Sequence, residues 1–176
     1  MKLTNLMAAG LCLALCVSGC DRPAYRATAK LEQGLEMTLI LRPLLSLQSD
    51  WSRSLTITQN TRSFDFDISE DTGWWRGSNL YLTLSGTLVL HEGQGSCSEF
   101  KTTPPSLVTP SEVSCRSAPG LAWLEKTQDA HLSYPASLFY PGLFFVGHFN
   151  ENGPKEQRAV FQPHSEITEP KLPDPI

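Results

Sequence analysis

Hydrophobic and polar residues alternate in several short runs along the chain. In residues 35–41 the hydrophobic positions are Leu35, Met37, Leu39 and Leu41, and similar alternation recurs at 54–58, 64–68 and 80–91. A period of two predicts β-strands that turn one face to a core. Residues 80–91 predict one long strand, bent at Gly86.

Two more strands are predicted near the C-terminus. Leu143 to Phe149 is strongly apolar, a second apolar run covers residues 157–161, and Asn-Gly occurs between them, which is typical of a hairpin. No segment has the length and 3.6-residue period of a long amphipathic helix. We therefore predict an all-β, antiparallel fold, either a β-sandwich or a small barrel.

The first 19 residues have a different character. Met1-Lys2 is followed by a mostly apolar run from Leu3 to Val17, the pattern of a secretory signal peptide. A transmembrane helix needs about 20 apolar residues, and this run is shorter. The run ends in Val17-Ser18-Gly19-Cys20, which resembles the lipobox of bacterial lipoproteins. An uncleaved anchor and plain secretion are the alternatives.

The resemblance implies that the Cys20 thiol receives a diacylglyceryl group and that Cys20 becomes the first mature residue, carrying an N-acyl group as well. Stable anchoring needs more than one acyl chain, and this modification meets that need. The membrane is then a partner, and the domain faces the periplasm. In enteric lipoproteins of this kind, Asp after the cysteine, here Asp21, retains the protein at the inner membrane. The outer membrane is the alternative where other sorting rules apply.

We predict four segments: 1–19 as signal peptide, 20–30 as lipidated tether, 31–162 as a single β-rich domain, and 163–176 as a disordered Pro-rich tail. The tether shows no hydrophobic period. The tail combines prolines and charges with little apolar content, which favours disorder.

Two of the five cysteines remain for the folded domain. Cys12 and Cys16 lie in the signal peptide and Cys20 carries the lipid, which leaves Cys97 and Cys115. An even pair in an exported domain predicts a disulfide, which would close the Pro-rich segment between them. Two free thiols or one catalytic thiol are the alternatives.

The charge balance and the residue pattern exclude several functions. With 14 Lys+Arg against 18 Asp+Glu the net charge is −4, and no basic cluster indicates nucleic acid as a partner. The four histidines are scattered, so we predict no metal site, no cofactor and no catalytic site. Cys97 with His91 could imitate a Cys/His pair, and Asp65 with Asp67 a glycosidase carboxylate pair, although a solvated strand face explains the aspartates without further assumptions and is the interpretation we prefer.

Trp74, Trp75 and Arg76 are the candidate binding residues. Neighbours on an extended chain point to opposite sides, so one tryptophan would face solvent beside an arginine. That combination is typical of an interface hot spot or a sugar-stacking platform, and packing at a sheet edge is the alternative.

The interpretation we favour is a non-enzymatic accessory lipoprotein of the cell envelope that binds an envelope protein. Assembly factor, secretion or transfer subunit, and inhibitor or immunity protein are roles of this class. A peptidoglycan- or glycan-acting hydrolase and a carbohydrate-binding module are the alternatives.

Overall fold

A computed structural model of the protein describes residues 24–44, 51–71, 77–93, 96–109, 133–150 and 159–173. Within these ranges the chain forms ten β-strands in two antiparallel sheets, with one short 3-10 turn at Glu32–Gly34 and no α-helix. The prediction of an all-β, antiparallel fold is confirmed.

The first sheet is a four-stranded meander. Each strand pairs with the next along the chain, in the order β1-β2-β3-β4. Its strands are β1 (Tyr25–Lys30), β2 (Leu35–Pro43), β3 (Trp51–Gln59) and β4 (Arg62–Asp71).

The second sheet has six strands in the order β10-β9-β5-β6-β7-β8. After four hairpin-connected strands, the chain returns so that β9 lies beside β5. The strands are β5 (Ser78–Thr83), β6 (Leu88–Gly93), β7 (Ser96–Thr102), β8 (Pro105–Val108), β9 (Leu143–Asn150) and β10 (Val160–Pro163).

The two sheets share one hydrophobic core, in a sandwich-like arrangement. Alternate residues of each sheet point into it, because successive side chains on a strand leave opposite faces. These residues are at most 1% exposed: Met37, Leu39, Leu55 and Ile57 from the first sheet, and Leu80, Leu88, Leu90, Phe100 and Phe149 from the second.

The predicted long strand over residues 80–91 is two strands, β5 and β6, joined by a tight turn. The Thr83 N–H donates to the Thr87 carbonyl, and Gly86 adopts a φ of 81°. Glycine reaches this left-handed conformation at little steric cost, so Gly86 permits a full reversal and not only a bend.

The sandwich has two distinct ends. We call the end that contains Tyr25, Pro43 and Trp51 the proximal end, because the chain enters the first sheet there. The distal end carries the turns between β1 and β2, β3 and β4, β5 and β6, and β7 and β8. A hydrogen bond of 3.5 Å from Gln59 Nε2 to Thr103 Oγ1 joins the two sheets at the distal end.

The predicted tether is wrong for residues 25–30, and the domain does not begin at residue 31. These residues form β1, in which Ala27 is 4% exposed and Ala29 fully buried against the core. Their alternation is carried by alanines, whose small apolar area gives a weak hydrophobic signal in the sequence. Only residues 21–24 separate Cys20 from β1.

The predicted disordered tail is wrong for residues 163–173. After β10 the chain crosses the outer face of the six-stranded sheet, where Glu169 is 7% and Leu172 4% exposed. Ile167 packs there against a second hydrophobic cluster that includes Tyr81, Val89 and Tyr140. The six-stranded sheet is therefore covered on both faces in this region.

One buried ion pair joins the sheets near the proximal end. Arg53 on β3 and Glu92 on β6 have side chains 5% and 4% exposed, and two guanidinium nitrogens bond the two carboxylate oxygens. Removing both charges from water costs free energy, so the pair is favourable only when its geometry is satisfied. It therefore favours one relative placement of the two sheets.

We expect Arg53→Met or Glu92→Leu alone to lower the free energy of unfolding by about 3–5 kcal/mol, because each removes one member of a buried ion pair and leaves the other charge buried. The double variant Arg53→Met/Glu92→Leu loses much less, since it removes both charges. Urea unfolding of the three variants and the wild type measures the coupling free energy between the Arg53 and Glu92 side chains. A double variant that loses the sum of the single losses would contradict this role.

Candidate functional site

Six predicted site residues lie outside the described part of the chain: Cys20, Asp21, Trp74, Trp75, Arg76 and Cys115. Their predicted roles in lipidation, sorting, binding and disulfide formation therefore remain predictions. The segment that contains the two tryptophans connects Asp71, at the end of β4, with Gly77 before β5.

Cys97 and His91 are neighbours on adjacent strands. They are register partners between β6 and β7, and His91 is 1% exposed with its ring 4.5 Å from the ring of Tyr140. His91 Nδ1 accepts a hydrogen bond of 2.9 Å from the Gly93 N–H. Cys97 is disulfide-bonded. A disulfide sulfur carries no thiolate, so this state of Cys97 provides no nucleophile.

Asp65 and Asp67 lie on the exposed face of β4. The Thr56 hydroxyl donates to Asp65 Oδ1 at 2.6 Å across β3 and β4. This arrangement agrees with the interpretation of a solvated strand face. The described residues contain no group of three or more His, Cys, Asp or Glu side chains placed to hold a metal ion. Among the same residues, no helix reaches the length and hydrophobicity needed to cross a bilayer.

A buried carboxylate belongs to the C-terminal segment that follows β10. Glu169 Oε1 accepts hydrogen bonds from the Tyr81 hydroxyl at 2.8 Å and the Ser137 hydroxyl at 2.6 Å. Glu169 Oε2 accepts one from the Leu138 N–H at 2.6 Å. Burial raises the pKa of Glu169, and these three donors partly offset that rise.

The hydrogen bonds continue from Tyr81 to His148. Asn79 Nδ2 donates to the Tyr81 oxygen and to the Pro170 carbonyl, both at 2.8 Å. Since Nδ2 is the donor in both of these bonds, the other amide atom of Asn79, Oδ1, is an acceptor. Oδ1 lies 2.7 Å from His148 Nδ1, which assigns the proton of the neutral ring to Nδ1. The donors of the chain thus point toward Glu169. Burial lowers the pKa of His148 to about 4, so the ring is neutral at pH 7.

Gly77 permits the close approach of His148 to the chain before β5. A Cβ at position 77 would lie 2.5 Å from the His148 ring and from the Phe149 carbonyl oxygen, and Gly77 has a φ of 111°. A side chain at this position would collide with the His148 ring and the Phe149 carbonyl, so one of them would have to move. The network therefore depends on a glycine that packs against it as well as on its polar members.

Several cavities open on the described surface. One of about 520 Å³ lies at the distal end beside the β5–β6 turn, lined by residues 85–87, 99, 101–103 and 108. Another, about 380 Å³, lies beside Glu169 between residues 135–138 and 164–168. A third, about 220 Å³, lies at the distal end between the sheets. Its apolar lining consists of Leu31, Leu35, Leu82, Leu88, Tyr134 and Val146. Beside it in the β5–β6 turn, Leu84 is 64% exposed.

Sequence reasoning missed the buried polar network completely. Asn79 and Tyr81 are two residues apart, so the alternation predicts that they lie on the same face of a strand. The alternation does not show whether that face is covered by other parts of the chain or exposed to solvent. Glu169 lies in a segment whose prolines predicted disorder. The network depends on contacts between residues up to 91 positions apart, which local patterns do not report.

Searches against protein-family models, curated proteins and solved structures found no match to this chain.

We expect non-reducing peptide mapping of the exported protein to link Cys97 to Cys115, since Cys115 is the one other cysteine outside the predicted signal and lipid site. Labelling of the unreduced protein with a thiol reagent should leave both residues unmodified. Labelling of both would contradict the pairing.

The network makes stability depend on pH through His148. Its pKa is about 4 in the fold and 6.5 in the unfolded chain, so the stability that neutral His148 contributes is present above pH 6.5. As the pH falls from 6.5 to 4, up to about 3 kcal/mol is lost. Glu169 acts in the opposite sense, because its pKa is raised and protonation relieves the cost of its buried charge.

His148→Gln isolates this contribution, because Glu169 is present in both proteins. We expect the variant to be less stable than the wild type at pH 7 and to lose less stability on acidification. Chemical unfolding across the range from pH 6.5 to pH 4 measures the two slopes. Parallel slopes would contradict the assignment of the pH dependence to His148.

Proposed function

We propose that the chain is a lipid-anchored envelope lipoprotein whose β-domain acts as a non-enzymatic accessory protein and binds a protein partner at the membrane. One observation carries the proposal: β1 begins at Tyr25, five residues after Cys20. Five extended residues span at most about 18 Å. So short a connection keeps the domain beside the membrane, and its partners must reach it there.

The membrane in this proposal is the inner membrane, with the domain facing the periplasm, and Asp21 is the residue that supports this choice. The outer membrane is the alternative. The same proposal takes the fold as a β-sandwich, because the core lies between two sheets that are separate in their described strand pairing. It closes the Pro-rich loop with a Cys97–Cys115 disulfide.

The distal end is the surface that we assign to the protein partner. It is the part of the domain farthest from Tyr25, where the lipid connection enters. Leu84 stands 64% exposed there beside the apolar cavity of about 220 Å³. An exposed leucine next to an apolar cavity provides the buried centre that protein interfaces use. Trp74, Trp75 and Arg76 remain the second candidate contact.

The hydrolase alternative is weaker after the structure is considered. Its thiol mechanism needs a free Cys97, whereas Cys97 is disulfide-bonded. Its carboxylate mechanism uses Asp65 and Asp67, which lie on the exposed face of β4. No described contact favours the carbohydrate-binding module.

A pull-down from detergent-solubilised envelopes tests the partner and its surface together. The full-length protein carries a C-terminal tag, and we expect a partner that Leu84→Asp no longer recovers. Leu107→Asp is the matched control, because Leu107 is also an exposed leucine, 42% exposed, on the edge strand β8. Recovery is expected to survive this change. Trp74→Ala/Trp75→Ala tests the second candidate contact.

The anchor is tested separately by Cys20→Ser. This variant is expected to incorporate no lipid and to accumulate as uncleaved precursor. Normal processing of the variant would refute the anchor. A partner that Leu84→Asp and Leu107→Asp retain equally would refute the distal surface.

A further inference from the structure

An aromatic pair lies at the proximal end of the core. Tyr25 is the first residue of β1 and Trp51 the first of β3, and their rings meet edge to face with centroids 5.7 Å apart. Both side chains pack against the core and remain partly exposed at the end of the sandwich. Tyr and Trp combine an apolar ring with a polar atom, which suits them to the boundary between a membrane and water.

The residues around this pair extend the same surface. Pro43 is the register partner of Trp51, and Pro43 and Leu44 are both half-buried. Arg26 follows Tyr25, Arg42 precedes Pro43, and both arginines are exposed. The Arg42 guanidinium donates to the Ser54 hydroxyl at 3.2 Å. On β4, the exposed Asp67 is the register partner of Ser54, and Asp71 is the register partner of Trp51.

The chain length between Cys20 and Tyr25 limits how far this end can stand from the lipid. The connection reaches at most about 18 Å when fully extended. The headgroup layer on each side of the hydrocarbon core is about 5–8 Å thick. Tyr25 therefore lies within about 18 Å of the acylated end, a range that includes the headgroup layer and the water next to it.

We propose that the proximal end of the sandwich rests on the membrane and that Tyr25 and Trp51 insert into the headgroup layer as a second attachment beside the lipid. Arg26 and Arg42 then lie at the level of the lipid phosphates, where exposed arginines are attracted by anionic lipids. The occupant of this surface is the lipid bilayer that holds Cys20. This inference rests on the proposed lipid anchor and adds an orientation to it.

The orientation assigns different surroundings to the two ends. The proximal end faces lipid, and the distal end, with Leu84, faces away from it. β2 runs between the two ends and is nine residues long, about 30 Å. A site beside Leu84 is then available to proteins that stand beside the anchor in the same membrane.

Photocrosslinking tests the contact directly. The full-length, acylated protein is reconstituted in vesicles of phosphatidylethanolamine and phosphatidylglycerol, with a photoreactive amino acid at position 51 or, as the matched control, at position 84. We expect lipid adducts at position 51 and none above background at position 84. Equal adducts at both positions, or adducts at position 84 alone, would overturn the proposed orientation.

A second measurement avoids a large substitution at position 51. Vesicles with nitroxide-labelled headgroups quench tryptophans that lie in the headgroup layer, and the difference between wild type and Trp51→Phe reports Trp51. We expect quenching of Trp51 in labelled vesicles, and Arg26→Glu/Arg42→Glu should reduce it. Unquenched Trp51 would overturn the inference.

Mass spectrometry of the same samples separates this inference from the anchor. If Cys20 is acylated while Trp51 is neither quenched nor crosslinked to lipid, the inference fails and the anchor stands. If Cys20 carries no acyl group, the anchor fails, and the inference that depends on it fails with it.

Discussion

The outer face of the six-stranded sheet must be covered, and one buried carboxylate holds its cover in place. Glu169 bonds Tyr81 on the sheet, Ser137 and Leu138 in the segment before β9, and is itself part of the chain after β10. Three separate parts of the sequence therefore meet at one charge. Because each donor is neutral, the charge is stabilised by hydrogen bonds and not by an ion pair, and loss of any donor would leave it poorly solvated.

The opposite face of the same sheet is joined to the first sheet by the apolar core and by Arg53 with Glu92. The core supplies the larger part of the association, because apolar burial dominates the free energy of folding. The ion pair adds geometric restriction near the proximal end. The ion pair thus lies near the end where the chain enters the first sheet, and the apolar cavity lies at the distal end.

The sequence predicted the fold class because most strands show a clear period of two, as in residues 35–41. It failed where the signal is small or non-local. Alanines at 27 and 29 hid β1, and prolines near Glu169 suggested disorder in a segment that long-range hydrogen bonds hold in place. The buried hydrogen-bond network around Glu169 was predicted least well. Its polar members acquire their environment from residues far away in the chain, and a lone Glu among prolines carries no local sign of burial.

The proposed orientation places the proximal end of the domain on the membrane. The most direct measurement is fluorescence energy transfer from a fluorescent amino acid to acceptor-labelled lipid headgroups in the reconstituted, acylated protein. The donor is placed at position 42 or at position 84, which lie at opposite ends of the sandwich. This orientation predicts efficient transfer from position 42 and weak transfer from position 84, because the ends are separated by about 30 Å. Equal transfer from the two positions would contradict it.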